Sequence, residues 1–428
     1  MNKLLPALCT LAAMITACDK KEILPGKRES IDGITELKSL DVSKVAMGDQ
    51  VFETETVTLH EHTDIAGNKQ HNSTNNKMNK ETHVLWEASL GGHGVNVAPI
   101  VFGGDVYAIN SRGDLICLSL KDGKKKWDIN IAKQPDDGIF AGGMTANENK
   151  LYIAANTGDI VAVDVKKQQI VWRKKLNYQF RCTPLYAFGK LIAMSVDGKA
   201  VALDSKTGNV VWKKSNEADI TMIAGSATPA LYGQNVICAY NAGDVKSYDV
   251  EIGTENWNDT LFATNNSDSG AVVNNIVASP VVNKGHVLVT TSESNIVMFD
   301  ATTGIRLWEK EIGTLHVPII NAGWVFVLTQ SGQVVCLTEN EGKVKWIANA
   351  KDLLNEKYKD NVEFTGILLI NGDVTVFTDL GNILKLDVAT GQLKSQKKID
   401  GMASITQPIV VDSKLITVTS RAKVYAVG

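Results

Sequence analysis

The sequence predicts an all-β chain, an eight-bladed β-propeller of four-stranded antiparallel blades in which an N-terminal strand completes the last blade. Three observations lead there. Trp127, Trp172, Trp212, Trp257, Trp308 and Trp346 recur at intervals of 38 to 51 residues, the length of one four-stranded unit. Each closes the same phrase of alternating apolar stretches broken by turns that mostly carry glycine. The last copy stops at Gly428 after three strands, while a lone strand around Trp86 precedes the first copy.

Lys3 and the short apolar stretch Leu4 to Ala17 open the chain, and this stretch is too short to span a bilayer comfortably. Ile15-Thr16-Ala17-Cys18 sets small residues before a cysteine, as a lipoprotein signal peptidase requires. Residues 1–17 are therefore expected to be a cleaved signal, with Cys18 lipidated as the sole membrane anchor. Residues 18–82 are expected to form a flexible tether. Positions 19–30 are charged, 31–59 hold scattered apolar residues, and Gly67 to Lys80 (GNKQHNSTNNKMNK) has nothing to bury. A coil of that length reaches roughly 40 Å.

The propeller is expected over 83–428, with His83 to Leu90 as the outer strand of the last blade. The third copy, Cys182 to Trp212, shows the design: four apolar stretches separated at Gly189, Gly198 and Gly208, where positive φ costs little. In the fifth copy, Asp300 to Gly304 matches Asp204 to Gly208, a turn whose Asp accepts backbone hydrogen bonds while Gly takes the left-handed position. Each Trp, Trp86 included, offers a large apolar face for packing between blades. The seventh copy has Ser395 where the Trp belongs. Closing the ring removes sheet edges that would otherwise recruit other chains.

A formal net charge of −3 gives no basic surface for nucleic acid. Cys117 and Cys336 occupy equivalent strands of blades that do not touch, and Cys182 and Cys238 belong to blades three and four. Lone cysteines of this kind read as small core residues, with a disulfide as the alternative. His60, His62 and His71 lie in a polar coil without ligand spacing; His93, His286 and His316 read as solvated loop residues. No metal site is expected. No Gly-x-Ser-x-Gly, His-Glu-x-x-His or P-loop occurs, so no catalytic residue is assigned.

The phrase Ala202-x-Asp204-x-x-Thr207-Gly208-x-x-x-Trp212, with looser copies ending at Trp172, Trp257 and Trp308, resembles the blades of pyrroloquinoline-quinone dehydrogenases. That motif packs blades and is shared by members without a cofactor. The vicinal Cys-Cys pair and the Cys-x-x-Cys-His haem motif of some of those enzymes do not occur here, so no cofactor is expected. Together with the lipid signal, the segments LWEASLGGHG and APIVFGGDVYAIN and the ending SQKKIDGMASITQPIVVDSKLITVTSRAKVYAVG make 83–428 resemble the BamB family. These are lipoprotein subunits of the machine that inserts β-barrels into the Gram-negative outer membrane.

The resemblance implies a non-catalytic scaffold that docks on the POTRA domains of BamA, with unfolded outer membrane proteins as a further class of partner. It also implies an address at the periplasmic face of the outer membrane. Asp19 beside the lipidated cysteine resembles an inner-membrane retention signal, which Lys20 weakens. The family's docking residues lie on the connections entering two successive blades, here Asp219–Pro229 and Ala271–Pro280. Two apolar docking positions fall on Ile220 and Met222; the family's neighbouring Arg falls on Ile223, and its acidic pair on Asn275 and Val277. These departures replace charged steering with apolar and amide contact. Read without the family, Ile220, Met222 and Ile223 are apolar residues in a loop, either tucked under the rim or offered to a partner. The rival readings are a quinone-type propeller enzyme, which needs a polar, ligand-lined channel, and a generic periplasmic ligand-binding lipoprotein.

Overall fold

A computed structural model describes residues 55–79, 82–95, 97–132, 142–216, 225–261, 275–359 and 361–428. They form eight four-stranded antiparallel blades in a ring. With strands a to d in chain order, blade 1 is Ile100–Phe102, Asp105–Ile109, Asp114–Ser119 and Lys125–Asn130. Blades 2 to 7 begin with strands a at Gly142–Asn147, Leu185–Ala187, Ala230–Tyr232, Val281–Asn283, Ile319–Asn321 and Phe364–Ile370. In blade 8, strands a to c are Ile409–Val411, Lys414–Val418 and Lys423–Val427, and strand d is Val84–Ser89 from the other end of the domain. Val84 pairs with Val427 and Ser89 with Lys423, and His83 and Gly428 exchange backbone hydrogen bonds of 3.2 and 3.1 Å. The expected closure is therefore the observed one.

The repeated phrase maps onto local geometry. In the c–d turn, Asp204 Oδ1 accepts from the Thr207 amide and hydroxyl at 2.8 Å each, which holds its carboxyl below the usual carboxylate range. Asp300 with Thr303 and Asp387 with Thr390 repeat the arrangement. Past the turn, strand d carries a one-residue bulge immediately before its tryptophan: the register shifts between Ile170 and Trp172, and between Val84 and Trp86. The extra residue turns outward, which is why Leu85, Val171, Val211 and Leu307 are exposed, and the indole turns inward.

Blade faces pack on one another. Continuous buried clusters join blades 1 and 2, 2 and 3, 3 and 4, 4 and 5, 6 and 7, 7 and 8, and 8 and 1. Side chains such as Phe299, Phe326 and Phe377 are fully buried there, each contributing about 1.5–3 kcal/mol. Cys117, Cys182, Cys238 and Cys336 are buried free thiols in these layers. Strands a are the innermost of each blade and neighbour one another around the central channel.

Candidate docking surface and channel mouth

Six tryptophans are held alike. Trp86, Trp172, Trp212, Trp257, Trp308 and Trp346 each lie over the c–d turn of the next blade. Their Nε1 atoms donate to the carbonyls of Leu120, Ser205, Val250, Ala301, Glu339 and Val388 at 2.7–3.1 Å. The turn glycine beneath each ring has φ between +61 and +73°, and a Cβ there would come within 2.5–2.8 Å of the indole. Glycine is needed twice over, for the left-handed backbone and for the close approach. Trp127 is the exception: the turn it faces has Gln168 at φ 54° in place of glycine.

Ser395 breaks the series for a reason of topology. Blade 8 has no c–d turn, because its strand d is Val84–Ser89, which precedes blade 1 in the chain and does not follow strand c. An indole on blade 7 would have no turn to cover. In that place lies a recess of about 500 Å³ lined by Thr82, His83, Ile383, Lys385, Ser395, Gln396 and Lys397. The Lys397 ammonium donates to the Thr82 carbonyl.

At one mouth of the channel lie the connections that lead into strands a. Of the sequence-predicted docking residues, Ile220, Met222 and Ile223 lie outside the described residues, as does Cys18. Asn275 is buried, and its Nδ2 donates to the Asn241 carbonyl at 2.9 Å, so its side chain belongs to the fold. Val277 is half-buried against Gly225, where a Cβ would come within 2.8 Å of Val277 Cγ1. The Thr228 amide donates to Ser279 Oγ at 3.0 Å. Asn241 Nδ2 donates to the Gly225 carbonyl at 2.7 Å. The two connections are thus fastened to each other at their blade ends.

The opposite mouth, where strands a turn into strands b, carries the largest departure from the sequence reading. Residues 55–79, assigned above to a flexible tether, lie across the innermost strands. The Asp412, Val101, Ala146, Leu231 and Val282 amides, from blades 8, 1, 2, 4 and 5, donate to the carbonyls of Leu59, His62, Thr63, Lys69 and Gln70 at 2.8–3.1 Å. Lys69 Nζ sits 4.9 Å above the Tyr186 ring of blade 3. Asn75–Asn76 adds a short fifth strand parallel to strand a of blade 7. His71 is fully buried with Nδ1 2.8 Å from the Pro280 carbonyl, and Asn72 Nδ2 donates to Asn283 Oδ1 at 2.9 Å.

The physical reason is that an innermost strand has one edge facing the axis with no neighbour, so its amides need acceptors. Asn and His, read as solvated coil formers, supply donors and acceptors at short reach. Burial lowers the pKa of both His62 and His71 to about 4, so both rings are neutral. His286 and His316 are likewise half-buried rather than solvated; His286 Nδ1 lies 3.1 Å from Glu339 Oε1. Among the described residues no three His, Cys, Asp or Glu side chains are placed to share a metal ion.

Comparison with known proteins meets this geometry at the level of the whole ring. The family model described as outer membrane protein assembly factor BamB matches residues 133–348. The chain belongs to the BamB family. Outer membrane protein assembly factor BamB of Salmonella typhimurium is 25% identical over 353 residues, covering 80% of this chain and 88% of the relative. The Escherichia coli BamB is 24% identical over 353 residues, with the same two coverages. Among solved structures, BamB from Moraxella catarrhalis has a TM-score of 0.70 at 20% identity, covering 81% of this chain and 99% of that one. Quinohemoprotein alcohol dehydrogenase from Comamonas testosteroni follows at a TM-score of 0.67 and 12% identity, covering 86% and 80%. That likeness is one of fold. The BamB family is one of assembly factors, not enzymes.

Proposed function

We propose that this protein is a non-catalytic scaffold lipoprotein of the outer-membrane β-barrel assembly complex. In this reading it docks on the POTRA domains of BamA and aids the folding and insertion of outer membrane proteins. Residues 1–17 are its signal and Cys18 its lipid attachment, which holds it at the periplasmic face of the outer membrane.

The observation that carries the docking surface is the joined pair of connections. Gly225 packs on Val277 and Thr228 bonds to Ser279, so the described ends of the two connections meet in one patch at the mouth away from residues 55–79. Ile220 and Met222 supply the apolar anchors. Asn275 serves from behind by fixing the connection, and Val277 by wedging it.

The test is a detergent-solubilised pull-down of tagged protein from its own envelope, comparing wild type with Ile220→Glu/Met222→Glu. Buried anchors make the double variant weaker by about 2 kcal/mol or more, roughly 30-fold. Recovery of a BamA-like barrel protein by wild type alone supports the role and the site. Equal recovery removes the residue assignment, and no barrel protein in either lane removes the role.

A further inference from the structure

We propose that the recess between blades 7 and 8 is an anion site, in which Lys385 and Lys397 hold a phosphate group. The face of blade 7 that turns toward blade 8 is the ground for this. Ser395 pairs with Lys385 and Lys397 with Ile383, so all four side chains stand on one side of the blade. In each of the other seven blades the strand c residue opposite the tryptophan is alanine, cysteine, serine or methionine. Only blade 7 sets a lysine there. The junction has thus exchanged an indole over an uncharged neighbour for an open space of about 500 Å³ beside an ammonium group.

Among the described residues nothing balances the charge of this recess. Its lining is Thr82, His83, Gln396 and those four residues, with no Asp or Glu. Nearby lysines have carboxylates of their own: Lys394 meets Asp373 and Asp387 at 2.6 and 3.0 Å, and Lys423 meets Glu87 at 2.8 Å. Lys385 is half-buried and has no ion-pair partner among the described residues. Lys397 gives one hydrogen to the Thr82 carbonyl and keeps two for a ligand. Two cations, with the Ser395 hydroxyl and the Gln396 amide as further donors, exceed what the single charge of a carboxylate uses. A phosphate group brings up to two charges and several acceptor oxygens. Buried Ile383 beside the lysines keeps water from one side of them, which strengthens the attraction. The docking connections enter blades 4 and 5, so this site is separate from them and does not depend on the assembly-factor reading.

A soluble ion and a lipid headgroup both carry such a group, and the experiment separates them. The full chain is used with Cys18→Ser, so that no acyl group contributes. Inorganic phosphate is titrated at low salt and followed by the broadening of its phosphorus NMR signal. The expected result is saturable binding, weakened roughly tenfold or more by Lys385→Ala/Lys397→Ala. Lys398→Ala removes the same charge from the same strand outside the lining and should bind as wild type does. Ser395→Trp fills the recess while keeping both lysines and should also lose binding, which keeps the test open if the double variant disturbs the fold. Sedimentation with phosphatidylcholine vesicles containing phosphatidic acid then names the source. Wild-type sedimentation that the double variant loses assigns a lipid headgroup, and phosphate binding without sedimentation assigns the soluble ion. No saturable phosphate binding by wild type, equal binding by all variants, or equal binding of acetate overturns the proposal. A failed pull-down of the barrel protein leaves these outcomes untouched.

Discussion

Gly189→Ala and Gly304→Ala should destabilise the protein by different amounts although the two glycines have nearly the same backbone, φ +74° and +73°. Each substitution forces alanine into the left-handed region, at about 1–2 kcal/mol. A Cβ on Gly189 meets nothing within 4 Å, so that is its whole cost. A Cβ on Gly304 would lie 2.6 Å from Trp257 Cδ2, and the ring cannot easily withdraw: it stacks on Phe299 at 5.9 Å and its Nε1 bonds to the Ala301 carbonyl at 3.0 Å. Displacing a packed ring adds about 1–3 kcal/mol, for a total of about 2–5. Urea unfolding of both variants measures the difference. The decisive control is Gly304→Ala in a Trp257→Ala background. There the obstruction is gone and the added cost should fall to that of Gly189→Ala, a coupling of about 1–3 kcal/mol. Equal costs for the two single variants, or a strictly additive double variant, would refute the view that these glycines are seats for the indoles.

Ser395→Trp should change stability by less than about 0.5 kcal/mol, because blade 8 has no turn for the ring to cover; a gain like that of a true seam tryptophan would show that the recess can be closed. Acid should loosen residues 55–79. His62 and His71 have folded pKa values of about 4 against an unfolded 6.5, so above 6.5 both states are neutral and nothing changes. Between 6.5 and 4 the released segment takes up protons that the packed one refuses, and stability falls by up to about 3 kcal/mol per histidine. Asp64, whose carboxyl is raised by burial, works in the opposite sense. Hydrogen exchange across this segment between pH 7.5 and 5 measures the effect, and His62→Gln/His71→Gln should abolish most of it; a slope that survives both changes assigns it to other groups.

Fold and blade number were legible because the repeat is enforced by close packing. A glycine that must hold positive φ beneath an indole, and an Asp that must accept from the turn, leave a fixed phrase in the chain wherever that turn recurs. Even the departure at Ser395 was visible, although its cause lies in where the chain begins and ends the ring. The segment 55–79 was not legible. His71, Asn72, Asn75 and Asn76 are polar residues in a low-complexity run, and composition reads such a run as solvated. What calls for it is a ring of unpaired amides on strands such as Val101 and Val282, which exists only once eight innermost strands face one axis. The docking connections were half legible: Ile220 and Met222 stand out as apolar loop residues, but nothing local in the sequence distinguishes Asn275, whose amide fixes the connection from inside.

Ring closure explains why one stretch of chain takes on two tasks. At every other junction, apart from the weaker one at Trp127, an indole covers the next blade's turn and donates to it. At the junction of blades 7 and 8 neither turn nor indole exists, and the segment before strand d supplies the contacts instead. Asn75 and Asn76 pair with Leu369 and Ile370, Met78 exchanges hydrogen bonds of 3.0 and 2.7 Å with the Asn371 side chain, and Met78 is buried with Leu368 and Phe377. A chain anchored there must approach from somewhere, and the shortest ordered approach runs over the channel mouth, where unpaired amides await acceptors. Residues 75–79 and 82–89 therefore hold the ring shut, while 59–72 satisfy its inner edge. The first group is secured by strand pairing and apolar burial; the second rests on single hydrogen bonds from separate blades and buries unpaired polar atoms. Separate hydrogen bonds without a shared core open at low free energy, so residues 59–72 can loosen while the closure stays intact.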